Sequence, residues 1–251
     1  MGERGPSLFQ AIRDFSESAS PIDFILIAQH WNMFLTGTGY TLFLVTASLV
    51  AGGVLSLPLS VARAYRTPVL NQIVFAFVYL FRGTPLLVQL YLIYYGLGQL
   101  EAVRESFLWL VLREPLWCTL ICFSLNTAAY TTEIFRGAIE AIPYGEIEAA
   151  KACGMSGWLR ARRIVLPIAL RRALPAYSNE VIFMVHGSVV ASTVTIVDIL
   201  GAGRVLNAKY YLAYEGFIAA AVLYMLLVFF ITRGFKLWEK HWHTHLRPRE
   251  A

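Results

Sequence analysis

Residues 145–167 read Gly145-Glu146-Ile147-Glu148-Ala149-Ala150-Lys151-Ala152-Cys153-Gly154-Met155-Ser156-Gly157-Trp158-Leu159-Arg160-Ala161-Arg162-Arg163-Ile164-Val165-Leu166-Pro167. Strong helix formers follow Pro143, and Gly154 stands where a helix would stop, so the spacing predicts a short exposed helix. Periodicity alone also allows an interfacial helix packed only on its own protein. Apolar runs of membrane length flank this polar stretch, residues 116–142 before it and 173–197 after it. A bilayer crossing needs about 20 mainly apolar residues.

Three more runs of that kind lie further out, at residues 39–62, 69–97 and 213–237. The stretch 22–35 is short and interrupted by His30 and Asn32, which predicts a segment lying along the interface. The expected fold class is therefore an all-α integral membrane protein with five transmembrane helices. Its expected parts are a periplasmic or interfacial segment (1–36), a transmembrane domain (37–238) containing the loop 143–167, and a cytoplasmic tail (239–251). No basic flank and short apolar core stand at the start, so no removed signal peptide is expected.

Composition agrees with a membrane environment. Hydrophobic residues make up 57% of 251 positions and charged ones 15%, against about 25% charged in soluble domains. The net charge of +5 comes from basic residues set beside apolar runs, a pattern of membrane orientation that makes nucleic acid an unexpected partner. Arg63, Arg66, Arg136, Lys151, the arginines from Arg160 to Arg172, and Arg233 to Arg249 fall on one side. Arg4, Arg13, Arg104, Arg113, Arg204 and Lys209 fall on the other. The positive-inside rule makes the first side cytoplasmic, with the N-terminus periplasmic and the C-terminus cytoplasmic. Cys118, Cys122 and Cys153 lack metal-ligand spacing and read as packing residues. Gly52, Gly53 and Ser56 predict a close helix approach.

Polar side chains inside apolar runs are costly, so they face the bundle or a wet cavity. Phe81-Arg82-Gly83-Thr84-Pro85 predicts an interruption of the second span, with Arg82 and Gln89 on one face. Interrupted helices of this kind are where transporters place substrate. Asn126, Tyr130 and Glu133 share a face of the third span; Asn179, Phe183 and His186 share a face of the fourth, with Glu180 and Gly187 beside it. At about 1.5 Å per residue, Arg82, Asn126 and His186 fall near the midplane, with Glu133 and Glu180 lower. The candidate pathway or gate is thus Arg82, Thr84, Gln89, Asn126, Tyr130, Glu133, Glu180 and His186. Two readings of Arg82 stay open: contact with a substrate carboxylate, or an ion pair with Glu180 or Glu133. A membrane enzyme built on Glu133, His186 and Arg82 is the reading from a different class, but no nucleophile or metal motif accompanies them. A non-conducting membrane scaffold is a third.

Glu148, Ala149, Ala150, Gly154, Ile164, Leu166 and Pro167 fill the pattern Glu-Ala-Ala, three residues, Gly, nine residues, Ile, one residue, Leu-Pro. The segment therefore resembles the EAA loop of permeases of type I ATP-binding cassette importers. The resemblance implies a coupling helix docked on a cytoplasmic ATPase, with Glu148, Ala149, Ala150 and Gly154 making the coupling. No GxxxxGK[ST] motif occurs in the chain, so ATP and Mg are expected on a separate ATPase, with no catalytic residue, metal or cofactor on this chain. Phe81 to Leu86, Asn126 to Ile134 and Leu174 to Glu180 also look like the polar amino-acid permeases. The likeness is strongest to subunits of histidine and lysine/arginine/ornithine importers, with opine permeases next. It implies a non-enzymatic transport subunit for polar, basic amino acids or opines. The implied partners are a second homologous permease in a heterodimer, two ATPase copies, and a periplasmic substrate-binding protein. One departure stands out. Many such permeases carry Lys-Asp-Thr-Ser-Leu where this chain has His186-Gly187-Ser188-Val189-Val190, so the usual acidic position is a glycine.

Overall fold

The structure, a computed structural model, describes residues 24–212 and 214–242. The expectations for residues 1–23 and for the tail from 243 onward lie outside the described residues. Among those described, regular structure is entirely helical. In chain order the α-helices are α1 (Phe24–Gln29), α2 (Trp31–Ala64), α3 (Leu70–Gly83), α4 (Leu86–Tyr91), α5 (Glu101–Arg104), α6 (Trp109–Leu112), α7 (Pro115–Glu140), α8 (Tyr144–Ala152), α9 (Gly157–Arg160), α10 (Leu166–Gly187), α11 (Ile199–Tyr210) and α12 (Glu215–Trp242). A π-helical turn, Leu92–Gly96, and a 3-10 turn, Leu97–Gln99, extend α4. A second π turn, Ala161–Val165, joins α9 to α10, and a 3-10 stretch, Ser188–Val194, extends α10.

Helices α2 and α12 are each long and apolar enough to cross a membrane alone. Helix α3 and its continuation through α4 pass the same test together but bend by 106° at the break. The segment from α9 through the 3-10 stretch passes together with α11, bent by 44°. Helix α7 has 26 residues, about 39 Å, yet its polar face keeps it below the apolarity of the others. The interruption expected at 81–85 within the run 69–97 is thus a sharp break.

The boundaries also shift. Trp31 to Leu35 belong to α2 instead of lying along the interface, and Phe34 is fully buried. The corner before α2 is held by His30, whose Nδ1 is 3.0 Å from the Leu26 carbonyl and whose Nε2 is 2.8 Å from the Tyr210 hydroxyl. Helix α10 begins at Leu166, earlier than the run 173–197 suggests, because Pro167 fits a first turn that has no amide partner to lose.

Small residues fix the crossings. A Cβ added at Gly52 would collide with Thr127 and come within 2.7 Å of the Ser124 carbonyl oxygen, so α2 and α7 cross nearly backbone to backbone there. Gly53, read together with it, faces more open space. Gly203 and Gly216 play the same part between α11 and α12, where an added Cβ would lie 2.5 Å from the opposite carbonyl oxygen. The main apolar core brings Leu44, Leu90, Phe123 and Val185 together from four helices. Cys122 lies in that core and Cys118 is also buried, as packing residues would be, but Cys153 is exposed at the end of α8.

Candidate functional site

Gly83 ends α3, Thr84 is extended (φ −117°, ψ 145°), and Pro85 offers no amide hydrogen. Such a break strands carbonyl oxygens that water cannot reach inside a bilayer. Gln89 answers them. Its amide nitrogen lies 2.7 Å from Phe81 O, 2.9 Å from Thr84 O and 2.8 Å from Thr84 Oγ1, while Thr84 Oγ1 donates to Leu80 O at 2.8 Å. Asn126 of α7 donates through Nδ2 to Gln89 Oε1 at 3.0 Å. Three of the expected pathway residues, Thr84, Gln89 and Asn126, therefore meet at the break and hold its shape.

Against this break lies a cavity of about 310 Å³. Thr84, Pro85 and Leu86 form one wall, Asn126 and Tyr130 of α7 a second, and Glu180, Phe183, Met184 and Gly187 of α10 a third. Glu180 is only 5% exposed and accepts a hydrogen bond from Thr127 Oγ1 at 2.9 Å. That bond sets Glu180 level with Asn126, which corrects the expectation that it lies lower beside Glu133. Among the described residues Glu180 makes no ion pair. Arg82 makes none either; its guanidinium sits 5.1 Å from the centre of the Tyr130 ring, a cation–π contact at the cavity's edge. Arg82 is thus not in direct contact with a carboxylate, although it lies near enough for its charge to act on Glu180. His186 is exposed and lines no part of the cavity. A Cβ at Gly187 would meet only the end of the Leu86 side chain, at 2.9 Å.

Seven residues along α7, about 10 Å away, Glu133 has a different setting. Arg63 Nε of α2 reaches its Oε1 at 3.2 Å and Arg136 reaches its Oε2 at 2.8 Å. Arg136 also pairs with Glu140 at 2.6 Å, and Arg63 Nη1 donates to Asn71 Oδ1 of α3 at 2.9 Å. Three helices are tied at this end by one carboxylate held between two guanidiniums.

Helix α8 stands in the loop between α7 and α10, with Glu148 and Ala149 exposed. Ala150 is buried, so of the four expected coupling residues it faces inward. Gly154 shapes the exit. Met155 N donates to Ala150 O at 3.1 Å and Gly154 N to Lys151 O at 2.9 Å, the paired bonds of a Schellman motif, with Gly154 at φ +75°.

Comparison with known proteins meets this geometry directly. The family model described as "Binding-protein-dependent transport system inner membrane component" matches residues 52–243. The chain belongs to that family. As such a permease it is a multi-pass inner-membrane transport subunit, with ATP hydrolysis on a separate subunit. It is 44% identical over 231 residues to the histidine/lysine/arginine/ornithine transport system permease HisM of Escherichia coli, covering 89% of this chain and 97% of HisM. It is 42% identical over 229 residues to the nopaline transport system permease NocM of Agrobacterium fabrum, covering 91% and 95% of the two chains. The octopine transport system permease OccM of Rhizobium radiobacter is 45% identical over 219 residues, with 87% and 89% covered. The crystal structure of an amino acid ABC transporter with histidines superposes with a TM-score of 0.79 at 26% identity, covering 88% of this permease and all of that chain.

Two parts of the permease escaped sequence reasoning. Asp198 is fully buried and caps α11: its Oδ1 accepts from Gly201 N at 2.7 Å and its Oδ2 from the Tyr224 hydroxyl at 3.0 Å. Ile199 N donates to Thr41 Oγ1 at 3.3 Å, which joins α11 to α2 as well. Asp198 stands directly before Ile199-Leu200-Gly201, the position of an N-cap, and that was the available signal. Arg63 and Thr127, the partners of Glu133 and Glu180, carried none; their pairings span 70 and 53 residues of sequence.

Proposed function

We propose that this permease carries polar, basic amino acids (histidine, arginine, lysine and ornithine) inward past the break between α3 and α4, and that α8 couples this movement to a cytoplasmic ATPase. The observation that carries the reading is α8 itself. It is a short helix that packs on the bundle through Ile147 and Ala150 and presents Glu148 and small Ala149 outward, with a Schellman turn at Gly154 returning the chain to the membrane. Small residues let a partner approach closely, and a charge gives the contact a direction. The working complex is a heterodimer of this chain and a second homologous permease, with two copies of the ATPase binding Mg-ATP and a periplasmic substrate-binding protein delivering the solute. The N-terminus is periplasmic and the C-terminus cytoplasmic, in keeping with the arginines around α9 and the start of α10.

The cavity supports amino-acid passage chemically. Glu180, Asn126, Thr84 and Tyr130 offer acceptors and donors to an ammonium or guanidinium group, and Arg82 waits at the edge for a carboxylate. Opine import is the second reading, favoured by the nopaline and octopine permeases being as similar to this chain as HisM is. Competition of labelled arginine uptake by histidine, lysine, nopaline and octopine separates the two.

The deciding experiment replaces Glu148→Trp and Gly154→Leu in the reconstituted complex, then measures uptake and ATP hydrolysis together. Hydrolysis that persists while uptake falls is the expected result. Unchanged uptake in both variants overturns the coupling assignment.

A further inference from the structure

A second cavity, of about 640 Å³, opens beside the π turn that follows α9. Val61 and Tyr65 at the end of α2, Ile139 of α7, Trp158 and Arg160 of α9, and Arg162 of the π turn are among its lining. We propose that this cavity holds one anionic phospholipid of the cytoplasmic leaflet, its phosphate on Arg160 and Arg162 and an acyl chain along Val61 and Ile139. The proposal rests on the orientation given above, which puts this end of the bundle at the cytoplasmic face.

Four observations carry it. The walls are apolar and open, whereas Tyr65 and Trp158 stand 57% and 77% exposed at the mouth, the ring types that settle at headgroup depth. No acidic residue lines the cavity. Arg160 and Arg162 make no ion pair among the described residues, although Arg63 and Arg136 nearby are fully matched by Glu133 and Glu140. Finally, the backbone carrying Arg162 is a π turn, Ala161–Val165, an irregularity that helices keep mainly where a site needs it. Unmatched guanidiniums over apolar walls suit a ligand with a phosphate at one end and hydrocarbon at the other: the fork of an arginine fits phosphate oxygens in pairs. Basic pockets between helices on the cytoplasmic side are a general lipid-recognition geometry. Inorganic phosphate would satisfy the arginines and leave the walls unused.

The test uses the assembled importer in nanodiscs of phosphatidylcholine containing phosphatidylglycerol, with bound lipid read by native mass spectrometry. Phosphatidylglycerol should be retained over phosphatidylcholine. Arg160→Gln with Arg162→Gln should lower that preference about 30-fold, two basic contacts at roughly tenfold or less each. Ile139→Trp, which fills the cavity and keeps both arginines, should also expel the lipid. Both variants are first checked for intact assembly by size-exclusion chromatography. Equal retention of the two lipids, an unchanged preference in the double variant, or displacement by inorganic phosphate overturns the proposal. So does loss of the ATPase from the double variant with lipid binding intact, since the arginines would then be ATPase contacts. A complex that takes up amino acids without any lipid preference sinks only this proposal; one that takes up nothing in any lipid sinks the importer reading instead.

Discussion

Glu133 and Glu180 are both carboxylates on helices that meet near the bundle centre, and their surroundings are opposite. Glu133 lies between Arg63 and Arg136, with Asn71 and Glu140 completing the set, so three helices close on it. Glu180 has one hydroxyl partner, Thr127, and faces a cavity. A half-buried charge whose partners are all supplied by its own chain has been assigned to structure. One kept with a single hydroxyl donor, and a guanidinium only at a distance, beside an open volume is available to something that comes and goes. The difference separates a clamp at one level of the bundle from a contact surface at the other.

The largest effect should come from breaking the clamp. Glu133→Ala leaves the Arg63 guanidinium without a counter-charge and Arg136 with Glu140 alone, and removing one member of a buried pair costs about 3 to 5 kcal/mol. Both arginines keep some exposure, so about 2 to 3 kcal/mol is expected on that scale. Thermal unfolding of the purified complex measures it. An unchanged midpoint would mean that the ion pairs do not hold α2, α3 and α7 together.

Next is the scaffold of the contact surface. Gln89→Leu fills the same space but strands Thr84 O and leaves Phe81 O and the Asn126 amide only their mutual bond of 3.4 Å, at about 1 to 3 kcal/mol per buried unsatisfied group. The same thermal measurement applies, and proteolysis near residue 84 should quicken. If neither changes, the break does not depend on Gln89.

These two sites also mark what could be read without coordinates. The break at Gly83-Thr84-Pro85 was legible because proline and glycine act locally, and so was α8, bounded by Pro143 and Gly154. The choice of partners was not. Arg63 looked like one more cytoplasmic charge, and only the α2–α7 crossing at Gly52 brings it to Glu133. For Arg82 the sequence left a substrate carboxylate and an acidic residue equally open, and the structure sets its guanidinium on the Tyr130 ring. His186 stands outside the cavity for a related reason. Helical spacing fixes which residues share a face, but rotation of the helix about its axis is set by packing against others. Helix α11 was hidden by its modest apolarity, which burial against α2 and α12 makes sufficient.

A smaller effect is expected at the coupling end. Gly154→Ala meets no neighbour within 4 Å, so its cost is the positive φ alone, about 1 kcal/mol. The helix should fray at its exit, and uptake should fall more than ATP hydrolysis. Gly154→Asn, a residue that tolerates this conformation, should restore most of the loss. Failure of that rescue would point to a requirement for the bare glycine surface instead of the turn.

The smallest effect on stability, and the sharpest test of the comparison, belongs to the cavity carboxylate. Glu180→Gln keeps the shape and an acceptor for Thr127, so unfolding should move by no more than the roughly 1 kcal/mol typical of a point substitution. A charge-assisted contact is worth about 1.5 to 3 kcal/mol, so uptake of a cationic amino acid should fall roughly 10- to 100-fold if the passing solute meets Glu180. Gly187→Asp supplies the complementary case. The added side chain has only the flexible end of Leu86 to move aside, but it places a second carboxylate two helical turns from Glu180 on the same wall. If the main acidic ligand of the solute is on the partner permease, this substitution adds nothing or lowers uptake, because a buried carboxylate without a partner is unfavourable. Removing the acidic residue at the corresponding position of the partner should then abolish uptake. A gain of cationic uptake in Gly187→Asp, with the partner unchanged, would instead make the two halves of the pathway equivalent. Glu180 would then have to be read as half of a complete site in this chain.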